Sequence, residues 1–113
     1  MFVGAHLPKG AILDAPDLNR SEILVRLNAL NDDTRLQILR QIAESGELRS
    51  QEIIDVLELS QSAASRHLSQ LTAAGYLKER RCEGAKCYSL NDDRLSDTLQ
   101  AVANFLLVNE RIK

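Results

Sequence analysis

Apolar residues recur at helical spacing over most of this chain and divide it into segments. Ile23, Leu24, Leu27 and Leu30 fall on one face of a helix over about Arg20–Leu30. Asn31-Asp32-Asp33 then offers short side chains that cap a second helix. That helix runs to about Ser45 with Leu36, Leu39, Ile42 and Ala43 as its stripe, and Gly46 stops it. Ser50 is placed to cap a short third helix to about Leu57, burying Ile53, Ile54 and Leu57. Glu58-Leu59-Ser60 reads as a tight turn, and Ser60 as the cap of a fourth helix, Gln61–Ala74, closed by Gly75. From Tyr76 the period changes to two. Tyr76–Cys82 and Cys87–Leu90 read as strands around Glu83-Gly84-Ala85-Lys86. Asn91-Asp92-Asp93 caps a last helix to about Asn109, lined by Leu95, Leu99, Val102, Phe105 and Leu106.

A short helix, a tight turn and a longer helix make a helix-turn-helix, and the hairpin after it is a wing. The predicted fold class is mainly α with a small β-hairpin: a winged helix-turn-helix with five helices and a two-stranded wing. Residues 1–19, with Gly4, Pro8, Gly10 and Pro16, read as an arm or linker. Their apolar members, such as Phe2, Ile12 and Leu13, suggest that part of the arm packs on something. The folded domain is expected at 20–109 and a short tail at 110–113. At 113 residues the chain has room for one core.

The fourth helix has two chemistries. Ala64, Leu68 and Leu71 point inward, while Gln61, Ser62, Ser65, Arg66, Ser69 and Gln70 share the other side. A solvated helix face usually carries paired Glu and Lys. This one carries short hydrogen-bonding groups that match base edges: Gln to adenine, Arg to guanine, Ser to either base or phosphate. His67 sits at the edge of that face, where it either donates to a phosphate or packs against a neighbouring helix. The reading is a recognition helix in a DNA major groove. A plain Ser- and Gln-rich solvent face is the alternative, and the basic hairpin that follows argues against it.

Net charge is −2, which by itself does not favour nucleic acid. The distribution changes the picture. Gln61–Leu90 carries a net +3 against −5 for the rest of the chain. In the hairpin, Arg80, Arg81 and Lys86 are candidates to meet the sugar-phosphate backbone, adding affinity without specifying sequence. The apolar fraction is 44% and no apolar run has the length of a membrane span, so no membrane role and a cytoplasmic location are expected. With no nucleophile–base pair, phosphate-cradling glycine loop or metal cluster, enzymatic activity, a cofactor and a metal site are not expected. A winged helix also serves as a protein-interaction module without direct DNA readout. Such a module would replace the polar helix face with apolar or acidic residues, which this chain does not do.

The stretch Leu27–Asn91 resembles the ArsR/SmtB family of winged-helix repressors. Leu30-Asn31-Asp32-Asp33-Thr34-Arg35-Leu36, Ser62-Ala63-Ala64-Ser65-Arg66-His67-Leu68 and Ala74-Gly75-Tyr76-Leu77 carry the resemblance. It implies a homodimer, built on the first and last helices, that binds double-stranded operator DNA and is released from it by an inducer. The interface would then use Ile23, Leu24, Leu27, Leu99, Val102, Phe105 and Leu106. The inducer is left open, because the family's familiar sensor residues are missing. Arg49 and Gln51 stand where metal sensors often carry a Cys-x-Cys pair. Asn91–Lys113 holds neither His nor Cys, and the second helix has no cysteine.

Cys82 and Cys87 are the chain's two cysteines, too few for a secreted disulfide scaffold, so free thiols are the expectation. A two-residue turn at Gly84-Ala85 would set Cys82 opposite Cys87, with Cα atoms roughly 4.5 Å apart. Both would look outward with Lys78, Arg80 and Ser89, away from Leu77, Tyr88 and Leu90, as a candidate redox pair. A turn at Glu83-Gly84 would instead unpair them and leave two small residues filling a strand.

Overall fold

The computed structural model describes residues 18–108, and local capping chemistry sets most of its helix boundaries. α1 (Arg20–Leu30) starts in a reciprocal box: the Glu22 amide donates to Asn19 Oδ1 at 2.8 Å and the Asn19 amide to Glu22 Oε1 at 2.9 Å. α2 (Asp33–Ser45) starts at Asp32, whose carboxylate accepts from the Arg35 amide at 3.0 Å, and ends at Gly46 with φ +89°. A two-residue strand, β1 (Leu48–Arg49), precedes α3 (Ser50–Leu57). The helix-turn-helix turn places Glu58 in the left-handed region, at φ 54° and ψ 48°. α4 (Gln61–Ala73) begins under Ser60, whose hydroxyl accepts from the Ala63 amide at 3.0 Å. It closes with Gly75 at φ +90° and the paired bonds Tyr76 N–H to Leu71 O and Gly75 N–H to Thr72 O, both 3.0 Å. β2 (Leu77–Cys82) and β3 (Ala85–Leu90) form the hairpin. α5 (Asp92–Ala103), capped by Asn91, passes into a π-helical turn at Asn104–Val108.

Among the described residues the expected architecture stands, with five helices and a wing, and several local readings change. The sheet has three strands in the order β1-β3-β2, all antiparallel, because Leu48 and Arg49 pair with Tyr88 and Cys87. Ser50 is the first residue of α3 rather than its cap; the Arg49 amide is satisfied by Glu52 Oε1 at 2.8 Å. On α2 the buried side is Ile38, Leu39 and Ile42, while Leu36 and Ala43 are exposed. The expected arm, apart from Leu18 and Asn19, lies outside the described residues, as do Asn109 and the tail.

The hairpin turn is Glu83-Gly84, with φ +52° and +82°, the two positive values that a type I′ turn requires. Cys82 therefore faces Ala85, Arg81 faces Lys86, and Cys87 faces Arg80. This turn matches the right-handed twist of the strands, and Gly84 takes its second position without strain. The core lies between the helices and one sheet face, built from Ile38, Ile42, Ile53, Leu68, Leu71, Tyr76, Leu77 and Tyr88. Tyr76 reaches from it toward the terminal helices: its hydroxyl lies 3.0 Å from both the Arg26 carbonyl and Thr98 Oγ1. Thr98 donates its own proton to the Arg94 carbonyl at 3.0 Å. The tyrosine hydroxyl, with one proton, joins α1 to α5 through that network.

Candidate nucleic-acid interface

The Ser60 cap and the α4 stripe of Ala64, Leu68 and Leu71 fix the rotation of α4 in the core. Gln61, Ser62, Ser65, Arg66 and Ser69 are all exposed on the other side, as read from the alternation. No residue of α4 is acidic. Its first-turn amides and dipole therefore meet no carboxylate of their own helix, which leaves them free to favour an anion. A groove of about 240 Å³ separates this face from the wing, lined by Gln61, Ser65 and Ser69 on one wall and Glu79, Lys86 and Tyr88 on the other.

Two members of the predicted set turn out to be engaged elsewhere. His67 is buried, at 8% exposure, with Nδ1 3.4 Å from Arg35 Nη1 and 4.0 Å from Asp32 Oδ2. Of its two expected roles it takes the packing one, against the start of α2, and it does not present itself to a ligand. Gln70 is exposed, but its Oε1 accepts from Arg35 Nη1 at 2.8 Å. Arg35 also donates to the Ala29 and Asn28 carbonyls at 2.7 and 3.2 Å, so one guanidinium ties the end of α1 to α4. Asp32, which accepts from the Arg35 amide and lies near both Arg35 and His67, has its pKa held below the ordinary carboxylate value.

The wing divides its cations between two faces. Arg81, Lys86, Glu79 and Tyr88 share the face toward α4, whereas Lys78, Arg80, Cys82, Cys87 and Ser89 share the other. Arg80 is thus separated from its two expected companions. It forms a bidentate pair with Glu47 at 2.7 and 2.8 Å, which lowers the carboxyl pKa and raises that of the guanidinium. Lys86 lies 3.6 Å from Glu79. Arg81 meets only the Gly84 carbonyl, at 3.1 Å, among the described residues. Arg49, read from sequence only as a missing metal ligand, holds Glu83 at the turn at 2.7 Å.

The cysteine expectations also change. The Cys82 and Cys87 sulfurs are joined as a disulfide although the two residues are diagonal rather than opposite, their Cα atoms 6.1 Å apart. Their thiols are therefore not free, and Cys87 is buried rather than outward-looking.

On the far side, α1 and α5 expose aliphatic side chains. Leu24, Leu99 and Leu106 of the predicted interface are exposed, and Leu27, Val102 and Phe105 are half-buried. Ile23 is buried within its own chain and drops out of that surface. Val25, at 68% exposure, and Leu107 are exposed too, and Val25 opens toward Ala73 and Ala74 at the end of α4. Among the described residues, no helix is long and apolar enough to cross a membrane.

Comparison with known proteins places these features in context. The family model described as "Bacterial regulatory protein, arsR family" matches residues 32–79. An HTH-type transcriptional regulator of Methanocaldococcus jannaschii is 38% identical over 74 residues, covering 66% of this chain and 83% of that protein. The arsenic resistance transcriptional regulator ArsR1 of Pseudomonas putida is 43% identical over 80 residues, covering 71% of this chain; the chain spans about half (55%) of that regulator's length. The solved structure of an ArsR-like transcriptional regulator from Rhodococcus superposes with a TM-score of 0.72 at 22% identity, covering 80% of this chain and 85% of that one, a likeness of fold.

Proposed function

The chain belongs to the ArsR family of helix-turn-helix transcriptional regulators, and from that premise we propose that it acts as a homodimeric repressor reading operator DNA with α4. One observation carries the reading. The outward face of α4 is exposed, polar and free of carboxylates, and it stands across a groove from the wing wall that carries Lys86 beside Glu79 and Tyr88. Gln61, Ser62, Ser65, Arg66 and Ser69 are the groups for base edges and nearby phosphates. Arg81 and Lys86 are the wing's phosphate ligands. Arg80 is left out, because Glu47 neutralises it on the opposite face. His67, Arg35 and Gln70 set the orientation of α4 and do not touch DNA.

The dimer is proposed on the exposed aliphatic side chains Leu24, Leu99 and Leu106 of the terminal helical segments, with the half-buried Leu27, Val102 and Phe105 beside them. Two copies joined there would carry two α4 helices to successive major-groove faces, about 34 Å or a multiple of it apart. The signal is proposed not to be a metal read at residues 49 and 51. Arg49 is committed to Glu83 there, and Gln51 donates to Asp55 at 2.9 Å.

The test is selection of duplexes from a random pool by the purified chain, followed by footprinting of the enriched sequence. Two symmetric protected half-sites at that spacing are expected. A pool that never enriches at low salt would overturn the proposal.

A further inference from the structure

We infer that the Cys82–Cys87 pair is a thiol–disulfide exchange site that sets how firmly the wing holds DNA, an inference that rests on the DNA-binding reading above. Both cysteines of the chain lie in the hairpin, five residues apart, on either side of its turn. Their Cα separation of 6.1 Å falls within the range a disulfide bridges. The link runs along a diagonal and encloses the turn together with Lys86, immediately beside the Arg81–Lys86 cross-strand pair. Oxidised, it clamps the cations proposed to meet phosphate. Reduced, the tip keeps its ladder, the Arg49–Glu83 and Lys86–Glu79 pairs and the Arg81 bond to the Gly84 carbonyl, around a turn whose Glu83 sits at φ +52°.

The two sulfurs are not equivalent. Cys82 is half-buried and Cys87 is 3% exposed, so an incoming thiolate reaches Cys82 Sγ. Cys87 lies in the central strand with Arg49 directly opposite on one side and Arg80 on the other. Attack at Cys82 makes Cys87 Sγ the leaving thiolate, whereas the guanidiniums of Arg49 and Arg80 are already paired with Glu83 and Glu47. The thiolate of a low-molecular-weight thiol attacks Cys82 Sγ. The Sγ–Sγ bond breaks, its electron pair stays on Cys87 Sγ, and a mixed disulfide remains on Cys82. A second such thiolate attacks the small-molecule sulfur of the mixed disulfide and releases Cys82 as a thiolate. In net, two thiols become one small disulfide, and two electrons and two protons pass to the cysteines. A low-molecular-weight disulfide such as oxidised glutathione drives the reverse.

The test equilibrates the full chain over graded ratios of reduced to oxidised glutathione. At each ratio free thiols are counted by maleimide tagging and mass spectrometry, and affinity is measured for the duplex selected above. Both thiols should appear together, and Kd should rise by about three- to tenfold over the same range as the clamp's preorganisation is lost. Helical circular dichroism should stay constant. Cys82→Ser and Cys87→Ser should each bind like the reduced chain and ignore glutathione. Equal affinity with both thiols free, thiols released only on unfolding, or a glutathione effect that survives in the serine variants would each overturn the inference. Failure to bind any duplex in either state would remove the DNA reading and this inference together, whereas equal binding in both states removes this inference alone.

Discussion

The outward face of α4 and the outward ridge of α1 and α5 are both helical and both exposed, yet their chemistry is opposite. The first is built of Gln, Ser and Arg with no carboxylate; the second of Leu and Val. Water solvates the first without penalty, so its lack of acidic residues is the informative feature. The second loses favourable burial wherever it meets water, so its exposure is the informative feature. One surface is suited to an anionic groove and the other to a second aliphatic ridge. Tyr76 stands between them, its ring in the core and its hydroxyl at Arg26 and Thr98. A dimer formed on one surface would therefore hold the other at a fixed angle.

The hardest test of that division is Leu99→Glu, which places a charge on the ridge at a position 55% exposed in the single chain. The variant should fold with unchanged helicity but sediment as a monomer. Operator affinity should fall by about a hundredfold or more as the two half-sites lose their linkage. A variant that remains dimeric would remove the ridge as the interface. Arg66→Ala sharpens the comparison from the other side. Loss of a groove contact costs about 1–3 kcal/mol of operator binding, with sedimentation unchanged. If Arg66→Ala instead weakened self-association, the two surfaces would not be separate.

Tyr76→Phe tests the connection between them. It keeps the buried ring and removes one hydroxyl, leaving the Arg26 carbonyl and Thr98 Oγ1 without it. Chemical unfolding should show a loss of about 1 kcal/mol. Unchanged stability would mean that water replaces the hydroxyl and that the link between α1 and α5 is made elsewhere.

Helix positions were legible because their signals are local. The stripe of α4, the Asp32 and Ser60 caps and the stop at Gly75 all act within four residues of where they are read. β1 escaped notice because two residues cannot display a period, and its pairing with β3 is a long-range event. His67 was left between two roles although a signal existed: Ala64, His67, Leu68 and Leu71 follow the i, i+3, i+4, i+7 pattern of a buried face. A polar residue in that pattern needs buried partners, and Arg35 and Asp32 lie more than thirty positions away in sequence. The hairpin register stayed open between two turns because the one adopted requires Glu83 at a positive φ, an unusual choice for a side chain without a local backbone bond.

The smallest expected effect separates Arg81 from Arg80, adjacent residues that the alternation of a strand sends to opposite faces. Arg81 shares the sheet face of its partner Lys86, which lines the groove beside α4, and Arg80 faces Glu47. If Arg81 neutralises one phosphate, Arg81→Ala should flatten the slope of log affinity against log salt by about 0.9. Arg80→Ala should leave that slope unchanged. It frees the Glu47 carboxylate, so its effect belongs to the sheet's edge rather than to DNA, and removing both partners in Glu47→Gln with Arg80→Gln should restore any affinity lost. Salt titration of operator binding for the single variants and the double variant decides the matter. Equal slopes for Arg81→Ala and Arg80→Ala would mean that the wing rotates on DNA, and that its two faces are not divided between phosphate and protein as they are in the free chain.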